Sequence, residues 1–350
     1  MAYRRSRGKA TKVQPAVLTL TFQEVIPAGA EGHTAVDQYI DLGQTCSILN
    51  RRFYRQGLNW AVAGIKVLSQ PAVVAGVQNP LNGNLTVSQL PTTWPVFNGW
   101  VKAFSVWRKQ QDEALEAGGS ESMKARFNDF KIFMDRNHAS AGMTANLIPI
   151  NFHDKDADDP TLSGTVQEFN VGTWQASQIV LPNTTNVGTD DADTAPTERF
   201  LHMVGKNTAG TNSRGILEGY ADSRARPHSP DPVGPDVGDA DNWMARMFDV
   251  GSDMEEVLDN ATLINDDLPY DKDDYPNGEG NAPGVQIHDF QLVTGTTVGG
   301  TTWFSGGTFP CGLIKLTHEN FDTQNVTVTI QVQLVPGQHR GYLCQPMQDV

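Results

Sequence analysis

The chain has 350 residues, 39% of them hydrophobic, which is enough to bury a substantial core in one or two domains. Its 33 glycines, 20 prolines and 19% charged residues favour a loop-rich β protein over a helical one. The net charge of −14 is uneven, because residues 154–281 hold 26 acidic and 8 basic residues whereas residues 1–153 hold 10 and 16. No apolar run reaches the roughly 18 residues of a membrane span, and the basic amino terminus lacks the apolar stretch of a signal peptide. We therefore expect no membrane insertion.

Residues 1–14 are predicted to form a disordered basic arm. No acidic residue precedes Glu24, and small or polar residues separate five cations: Arg4, Arg5, Arg7, Lys9 and Lys12. Such an arm binds phosphates without regard to base sequence, because each cation releases counterions. The alternative interpretations are a solubilising tail and a nuclear-import signal.

Two strands are predicted in the next part of the chain. Over residues 16–26, apolar residues at positions 18, 20 and 22 alternate with polar ones, which is the pattern of a half-buried strand. Leu58–Ser69 has the composition of a buried strand, and Gly64 within it indicates a bulge or a close approach of another backbone.

A cluster of arginines and aromatic residues, Asn50–Arg55, lies between these two strands. Arg51, Arg52 and Arg55 could pair with phosphates while the interleaved aromatic rings stack on bases. The alternative is structural, since such a cluster also clamps the end of a helix or strand against neighbouring carbonyl and carboxylate groups. The sequence therefore makes these three arginines candidate nucleic-acid ligands.

A helical insertion is predicted near residues 97–138. The first helix carries an apolar stripe at helical spacing, formed by Trp100, Phe104 and Trp107. The second carries a stripe at steps of four, three and four, formed by Met123, Phe127, Phe130 and Met134. Gly118-Gly119-Ser120 offers a break and an N-cap between them. Stripes of this kind indicate packing against a core.

Short strands and long acidic loops are predicted to alternate within residues 154–281 and their flanks. The strand candidates are Asn146–Phe152, Trp174–Leu181, Phe200–Val204 and Ile216–Tyr220, and Trp243–Leu263 is predicted to hold a short helix. The loops are Asp154–Pro160, Asn183–Pro196, Arg224–Asp241 and Asn265–Gly284. Loops this long in a compact domain are exposed or functional. The last of them could bind calcium through its carboxylates, but it lacks the order of an EF-hand and is predicted to be a solvated loop.

The clearest strand in the sequence lies in Asn325–Met347. Five apolar residues from Val326 to Leu334 alternate with Thr and Gln, and Pro336-Gly337 then ends the strand. The strands predicted before it are Val285–Val293, Thr301–Phe304 and Gly312–Leu316. Since the two clearest strands lie near the two ends of the chain, we expect them to share one sandwich. The predicted fold class is all-β with helical insertions, arranged as a single eight-stranded jelly roll over residues 15–350.

No sequence motif points to catalysis. There is no G-x-S-x-G, P-loop, G-x-G-x-x-G or H-E-x-x-H, so we predict neither an enzyme nor a cofactor or metal site. Cys46, Cys311 and Cys344 lie far apart, which excludes a cysteine-rich zinc site and favours three free thiols. His318-Glu319 and His339-Arg340 are adjacent pairs that are expected to point to opposite sides of a strand.

Two segments near the carboxyl end carry a family resemblance. Phe309–Lys315 (FPCGLIK) and Leu334–Leu343 (LVPGQHRGYL) resemble the closing strands of jelly-roll capsid proteins from circular, Rep-encoding single-stranded DNA viruses, particularly the stool-associated groups (smacovirus- and pecovirus-like). These two motifs cover 17 of the 350 residues, whereas the similarity in predicted architecture covers most of the chain. The short arm and the acidic total depart from the family, whose arms are longer and richer in arginine.

The resemblance implies a capsid protein that self-assembles into an icosahedral shell of about 60 copies and packages a single-stranded DNA genome. By position, the phosphate binders would be the five cations of the arm, supplemented by Arg51, Arg52 and Arg55 on the inner wall. The outer loops would be available to a host receptor, and the protein would reside in the virion after assembly inside the host cell. Two alternatives stay open: a double-jelly-roll capsid subunit, and a carbohydrate-binding or hydrolytic β-sandwich with Trp174, Trp243 or Trp303 as a sugar platform.

Overall fold

The computed structural model describes residues 15–28, 35–70, 72–74, 77–79, 83–119, 129–151, 167–181, 197–205, 212–225, 284–293, 300–321 and 325–349. The predicted basic arm, the helix predicted in Trp243–Leu263 and nearly all of the four long loops lie outside the described residues. The other predicted strands and the first predicted helix fall mostly within them.

Two antiparallel sheets form the main part of the molecule. The first sheet has the spatial order β1 (Thr19–Ile26), β15 (Val326–Leu334), β3 (Leu58–Gln70) and β13 (Thr301–Phe309), and β18 (Cys344–Pro346) pairs with the beginning of β3. The second sheet has the order β12 (Gln286–Val293), β6 (Gly83–Gln89), β14 (Leu313–Asn320) and β2 (Ala35–Asp41). The prediction of a mainly β chain built from antiparallel strands is confirmed.

Shorter strands and four helices complete the described part of the chain. The short strands are β4 (Ala72–Val74), β5 (Val77–Asn79), β7 (Ile150–Asn151), β8 (Gln167–Glu168), β9 (Gln178–Leu181), β10 (Thr197–His202), β11 (Ser213–Gly215), β16 (Pro336–Gly337) and β17 (Gly341–Tyr342). The helices are α1 (Leu42–Asn50), α2 (Trp94–Ala117), α3 (Arg136–Ala141) and α4 (Ile216–Ala225). Single 3₁₀ turns lie at Met143–Ala145 and Pro310–Gly312.

The first and last long strands are neighbours, as the sequence predicts. β1 pairs antiparallel with β15 along its whole length, with Phe22 opposite Ile330. Because side chains alternate across a strand, the alternating apolar residues turn to one side, and Leu20, Phe22 and Ile330 are completely buried, whereas Val25 of β1 is exposed. The three buried residues join one hydrophobic core to which both large sheets contribute, including Leu85 of β6 and Leu316 of β14. The two sheets therefore enclose a common core.

A second core forms between the sandwich and the long connection from β6 to β12. Trp100 and Trp107 of α2 are buried there together with Leu201 of β10 and Leu217 of α4. The predicted stripe of the first helix is thus confirmed as a packing face, and α2 ends at the predicted break, with Gly118 as its C-cap. Tyr39 of β2 also belongs to this core, so the connection covers part of the outer face of the second sheet.

One predicted strand and part of one predicted helix are wrong. Ile216–Tyr220 is not a strand but begins helix α4, in which Leu217 packs beside Gly99 of α2. The prediction failed because five residues are too few to separate a strand from one helical turn.

The second predicted helix is wrong over residues 129–135, although Phe130 and Met134 are buried as expected. Their spacing of four residues also fits an extended chain. This segment pairs with the end of β10, because the Phe133 N–H donates to the Leu201 carbonyl and the Phe133 carbonyl accepts from the Met203 N–H. The predicted N-cap Ser120 of this helix, Met123 and Phe127 lie outside the described residues.

The structure also bears on the predictions for Gly64, for the strand at Asn146–Phe152 and for the three cysteines. Gly64 lies at an irregularity in the pairing of β3 with β15, and an added Cβ would sit 3.3 Å from the carbonyl oxygen of Phe304, so the predicted close approach is confirmed. Strand β7 covers only Ile150–Asn151 of its predicted range. The three cysteines are free thiols. Among the described helices, none combines the length and apolarity needed to cross a bilayer.

Candidate nucleic-acid interface

The predicted arginines lie on the loop that joins α1 to β3. Helix α1 begins after Asp41, whose carboxylate accepts a bond from the Gln44 N–H at 3.2 Å, and ends at Arg51 in the left-handed conformation with φ of 53°. Beyond it, Arg52 and Arg55 are exposed. The structure thus brings all three predicted arginines to one surface loop.

Two buried side chains hold this loop in place. Gln56 is completely buried, donates to the carbonyl of Ile132 at 2.9 Å and accepts from its N–H at 2.7 Å. Tyr54 is also buried, and its hydroxyl donates to the carbonyl of Arg340 at 3.0 Å. Because buried and exposed residues alternate, the loop presents its arginines from a fixed backbone.

Arg340 is a fourth arginine at this surface that the sequence does not predict. It lies in the turn between β16 and β17 with φ of 51°, and its guanidinium donates to the carbonyl of Phe53. The expectation that His339 and Arg340 point to opposite sides of a strand is wrong, because the chain turns here after Pro336 and both side chains line the same cavity. The other pair behaves as expected, since His318 is buried and Glu319 bonds Asn84 on the opposite face.

The beginning of the described chain lies against these arginines. The Pro15 carbonyl accepts from Arg52 at 3.4 Å, and the Val17 N–H donates to the side chain of Asn50 at 3.0 Å. The Tyr342 hydroxyl donates to the Val17 carbonyl at 2.7 Å. Residues 1–14, with Arg4, Arg5, Arg7, Lys9 and Lys12, lie outside the described residues, but they join the chain at this surface.

These arginines, Arg51, Arg52, Arg55 and Arg340, form no ion pair with an acid in the described part of the chain. The structural alternative holds in part, because Arg52 and Arg340 bind backbone carbonyls. A carbonyl contact leaves the net positive charge in place, so the guanidinium groups can still attract phosphate.

Aromatic rings accompany the arginines. The exposed ring of Phe53 lies 6.2 Å from the ring of Trp174, and Lys131 Nζ stands 4.6 Å from the centre of that Trp174 ring. Arg51 lies 5.8 Å from the centre of the Phe169 ring. These pairs place aromatic rings beside cations, which is the combination found in proteins that bind single-stranded nucleic acids.

The sugar-platform alternative finds less support at Trp174. Its Nε1 donates to the buried carboxylate of Asp41 at 3.0 Å, and Lys131 covers one ring face. Trp303 is 55% exposed on β13 but has Lys66 Nζ 5.4 Å from its ring centre, and Trp243 lies outside the described residues.

A buried polar network supports the interface from below. Asp41 accepts bonds from Gln44, Gln56 and Trp174, and burial raises the pKa of its carboxyl to about 6 although these bonds oppose the shift. The amide of Gln44 then connects through Asn146 to His138. This network ties the arginine loop to both the second sheet and α3.

A second part of the network centres on Asp135. Its Oδ1 accepts from the Tyr39 hydroxyl at 2.8 Å and from the His138 N–H at 2.7 Å, and its Oδ2 lies 3.0 Å from Lys315 Nζ. Lys315 also pairs with Asp37 at 2.8 Å. Burial lowers the pKa of Lys315, but Asp135 and Asp37 raise it by more, so the pKa is raised overall and the ammonium stays charged.

Acidification is expected to destabilise the fold between about pH 6.5 and pH 4. Burial lowers the pKa of His138, His202 and His318 from 6.5 to about 4, so in this window the unfolded chain binds three protons that the native chain does not. Asp41 acts in the opposite direction, because its raised pKa lets the native state hold one extra proton. Burial also lowers the pKa of His339 and raises the pKa of Asp129, and these two shifts act in opposite directions. Four histidines exceed two carboxyls, so stability falls as the pH falls. Urea unfolding at pH 7, 5.5 and 4.5 measures this, and a constant or rising stability on acidification contradicts it.

In the part of the chain that the structure describes, no group of three or more His, Cys, Asp or Glu side chains could hold a metal ion. No protein-family model, no curated protein and no solved structure matches the chain.

Proposed function

We propose that this chain is the capsid protein of a small virus, which assembles with copies of itself into a closed icosahedral shell and packages a single-stranded DNA genome. The observation that carries the proposal is the position of Pro15. The segment with five cations joins the folded chain there, against Arg52 and beside three further arginines without a carboxylate partner in the described ranges. Arm and wall together then form one cationic surface for phosphate.

The strand order supports a jelly roll as the fold of this capsid protein. Counting only the eight long strands, the first sheet has the order one, eight, three, six and the second has the order five, four, seven, two. All neighbouring pairs are antiparallel. This order is the one expected of two Greek keys wound on each other, so it supports the jelly-roll arrangement found in capsid, lectin and cupin domains.

A single jelly roll accounts for the described residues better than a double one. They contain one pair of large sheets, each built on four long strands, around one shared core. The remaining sheets there have two or three strands and belong to connections, such as β9, β10 and β11 between β6 and β12. We therefore propose one jelly roll with a long insertion between its fourth and fifth long strands.

Exposed apolar side chains supply a surface for contacts between copies. On the edge strand β12, Ile287, Phe290 and Leu292 are 65%, 50% and 60% exposed, and Trp303 on the neighbouring edge strand β13 is also exposed. Exposed apolar side chains gathered on the edges of two sheets are typical of a protein interface, since covering them removes apolar area from water. In a closed shell, a second copy would cover them.

The same edge is protected against pairing by backbone. His288 and Asp289 lie at a bulge in β12, and their side chains bind the carbonyl of Ser305 at 3.0 Å and its N–H at 2.7 Å. Both polar backbone groups of this β13 residue are therefore occupied from the outer side. Side chains that cap an edge in this way prevent open-ended strand addition, so contacts here would be made through side chains.

The proposal predicts that Arg52→Gln combined with Arg55→Gln weakens binding of single-stranded DNA and lowers its salt dependence. Each lost phosphate contact reduces the slope of log affinity against log salt concentration by about 0.7, so the double variant should lose about 1.4. Fluorescence anisotropy over a series of salt concentrations measures the slope.

The matched control is Arg108→Gln combined with Lys109→Gln. This pair lies on α2, and each cation already faces an acid one turn away, Asp112 and Glu113, at 3.8 Å. Removing the same charge there should leave the slope close to that of the wild type. An equal effect of both double variants would mean that net charge, and not this surface, governs binding.

A further inference from the structure

A cavity of about 560 Å³ opens beside the arginine loop. Four segments that are distant in sequence line it: the loop before β3, helix α2, the segment at Asp129–Phe130, and the chain around Arg340 and Pro346. Its size lies in the range of pockets that hold small organic ligands. It is therefore large enough for one nucleotide.

Aromatic rings form one wall of the cavity. Trp100 and Phe104 are stacked with ring centres 5.1 Å apart, and Phe130 lies 5.9 Å from each of them. Phe104 is only partly buried, so part of its surface is available to a ligand. Gly57 lets the loop approach the Trp100 ring closely, because an added Cβ at this position would lie 2.4 Å from that ring.

The rim of the cavity is cationic. Arg55 and Arg340 line it, and neither has a carboxylate within salt-bridge distance in the described ranges. Among the described lining residues the acid is Asp129, which is buried, lies 3.4 Å from Lys131 Nζ and also interacts with the charge of Arg55, so two cations compensate its charge. A ligand that fits must therefore combine a flat ring for the wall with an anion for the rim.

We propose that this cavity binds one nucleotide of the packaged strand, with its base against Phe104 and its phosphate between Arg55 and Arg340. The inference rests on the proposed function, because it takes single-stranded DNA as the partner. It adds a defined subsite for one nucleotide to the cationic surface proposed above.

Binding of dAMP, deoxyadenosine and inorganic phosphate to the full chain tests the subsite by isothermal titration calorimetry. We expect saturable binding of dAMP that is at least about tenfold tighter than that of either fragment, since base and phosphate each contribute. Phe104→Leu should weaken dAMP binding by about fivefold to a hundredfold and leave inorganic phosphate unaffected. Arg340→Gln, at an exposed position, should weaken dAMP and phosphate and leave deoxyadenosine unaffected.

Lys109→Gln, on the same helix and outside the cavity, is the control and should bind dAMP like the wild type. The subsite is refuted if dAMP binds no tighter than phosphate, or if both cavity variants, folded by circular dichroism, bind dAMP normally. Binding of an oligodeoxythymidylate of about 30 nucleotides separates the two proposals. If the wild type binds the oligonucleotide but not dAMP, only the subsite is wrong, whereas failure to bind either overturns the proposed packaging role as well.

Discussion

Deleting residues 1–12 is expected to leave folding and shell formation intact and to reduce the DNA that each shell packages. The arm carries five cations and no acid, whereas the core contacts of β1 begin at Leu20. At full extension 12 residues reach about 40 Å, which allows the cations to contact DNA well beyond the wall. The ratio of absorbance at 260 and 280 nm of purified particles, with quantification of the extracted DNA, measures the loss.

A full-length variant with Gln at the five cationic positions is the matched control, because it keeps the length of the arm and removes its charge. Both variants should package less DNA to a similar degree. If the truncated protein fails to fold while the Gln variant folds, the arm has a structural role. If both package like the wild type, the arginines of the wall are sufficient and the assignment of the arm is wrong.

Asp135→Ala should cost about 3–5 kcal/mol of unfolding free energy, the largest effect that we expect from one polar substitution. Asp135 is 3% exposed, and its carboxylate serves three donors: the Tyr39 hydroxyl, the His138 N–H and the Lys315 ammonium. Removing it leaves the Tyr39 hydroxyl and the His138 N–H without this acceptor, and leaves Lys315 with Asp37 as its one remaining carboxylate among the described residues. Urea unfolding monitored by circular dichroism gives the difference.

Two further variants sharpen this test. Asp135→Asn keeps one acceptor oxygen and should lose less than the Ala variant. Glu113→Gln removes an acid from an exposed pair with Lys109 on α2 and should change stability by less than about 1 kcal/mol. A loss in Asp135→Ala no larger than that in Glu113→Gln would show that the network does not hold the insertion to the sheet.

The strands that the sequence predicts best are those with one wet and one dry face. In β15 every second residue from Val326 to Leu334 is buried and the others are partly exposed, so the period of two is readable. β2 escaped prediction because the insertion covers its outer face. Tyr39 and Ile40 are consecutive and both buried, so apolar and polar residues do not alternate. Gln38 and Asp41 are polar although they are buried, so the sequence of β2 resembles that of a polar loop.

Part of the candidate site is formed by residues that are adjacent in the sequence, and part by residues that are distant in it. Arg51, Arg52 and Arg55 stand together in the sequence, so their cluster is visible without a structure. Arg340 and Lys131 reach the same surface only because β18 pairs with β3 and because Gln56 binds the backbone at Ile132. Contacts of this separation leave no local pattern, and the wall of the cavity is equally invisible in the sequence.

Electron microscopy of the purified full-length chain at low and high salt tests the central claim most directly. We expect closed shells of uniform diameter, because the exposed apolar residues of β12 and β13 would be covered by neighbouring copies. Monomers alone at every salt concentration, with and without single-stranded DNA, would contradict the proposal that this chain builds a capsid.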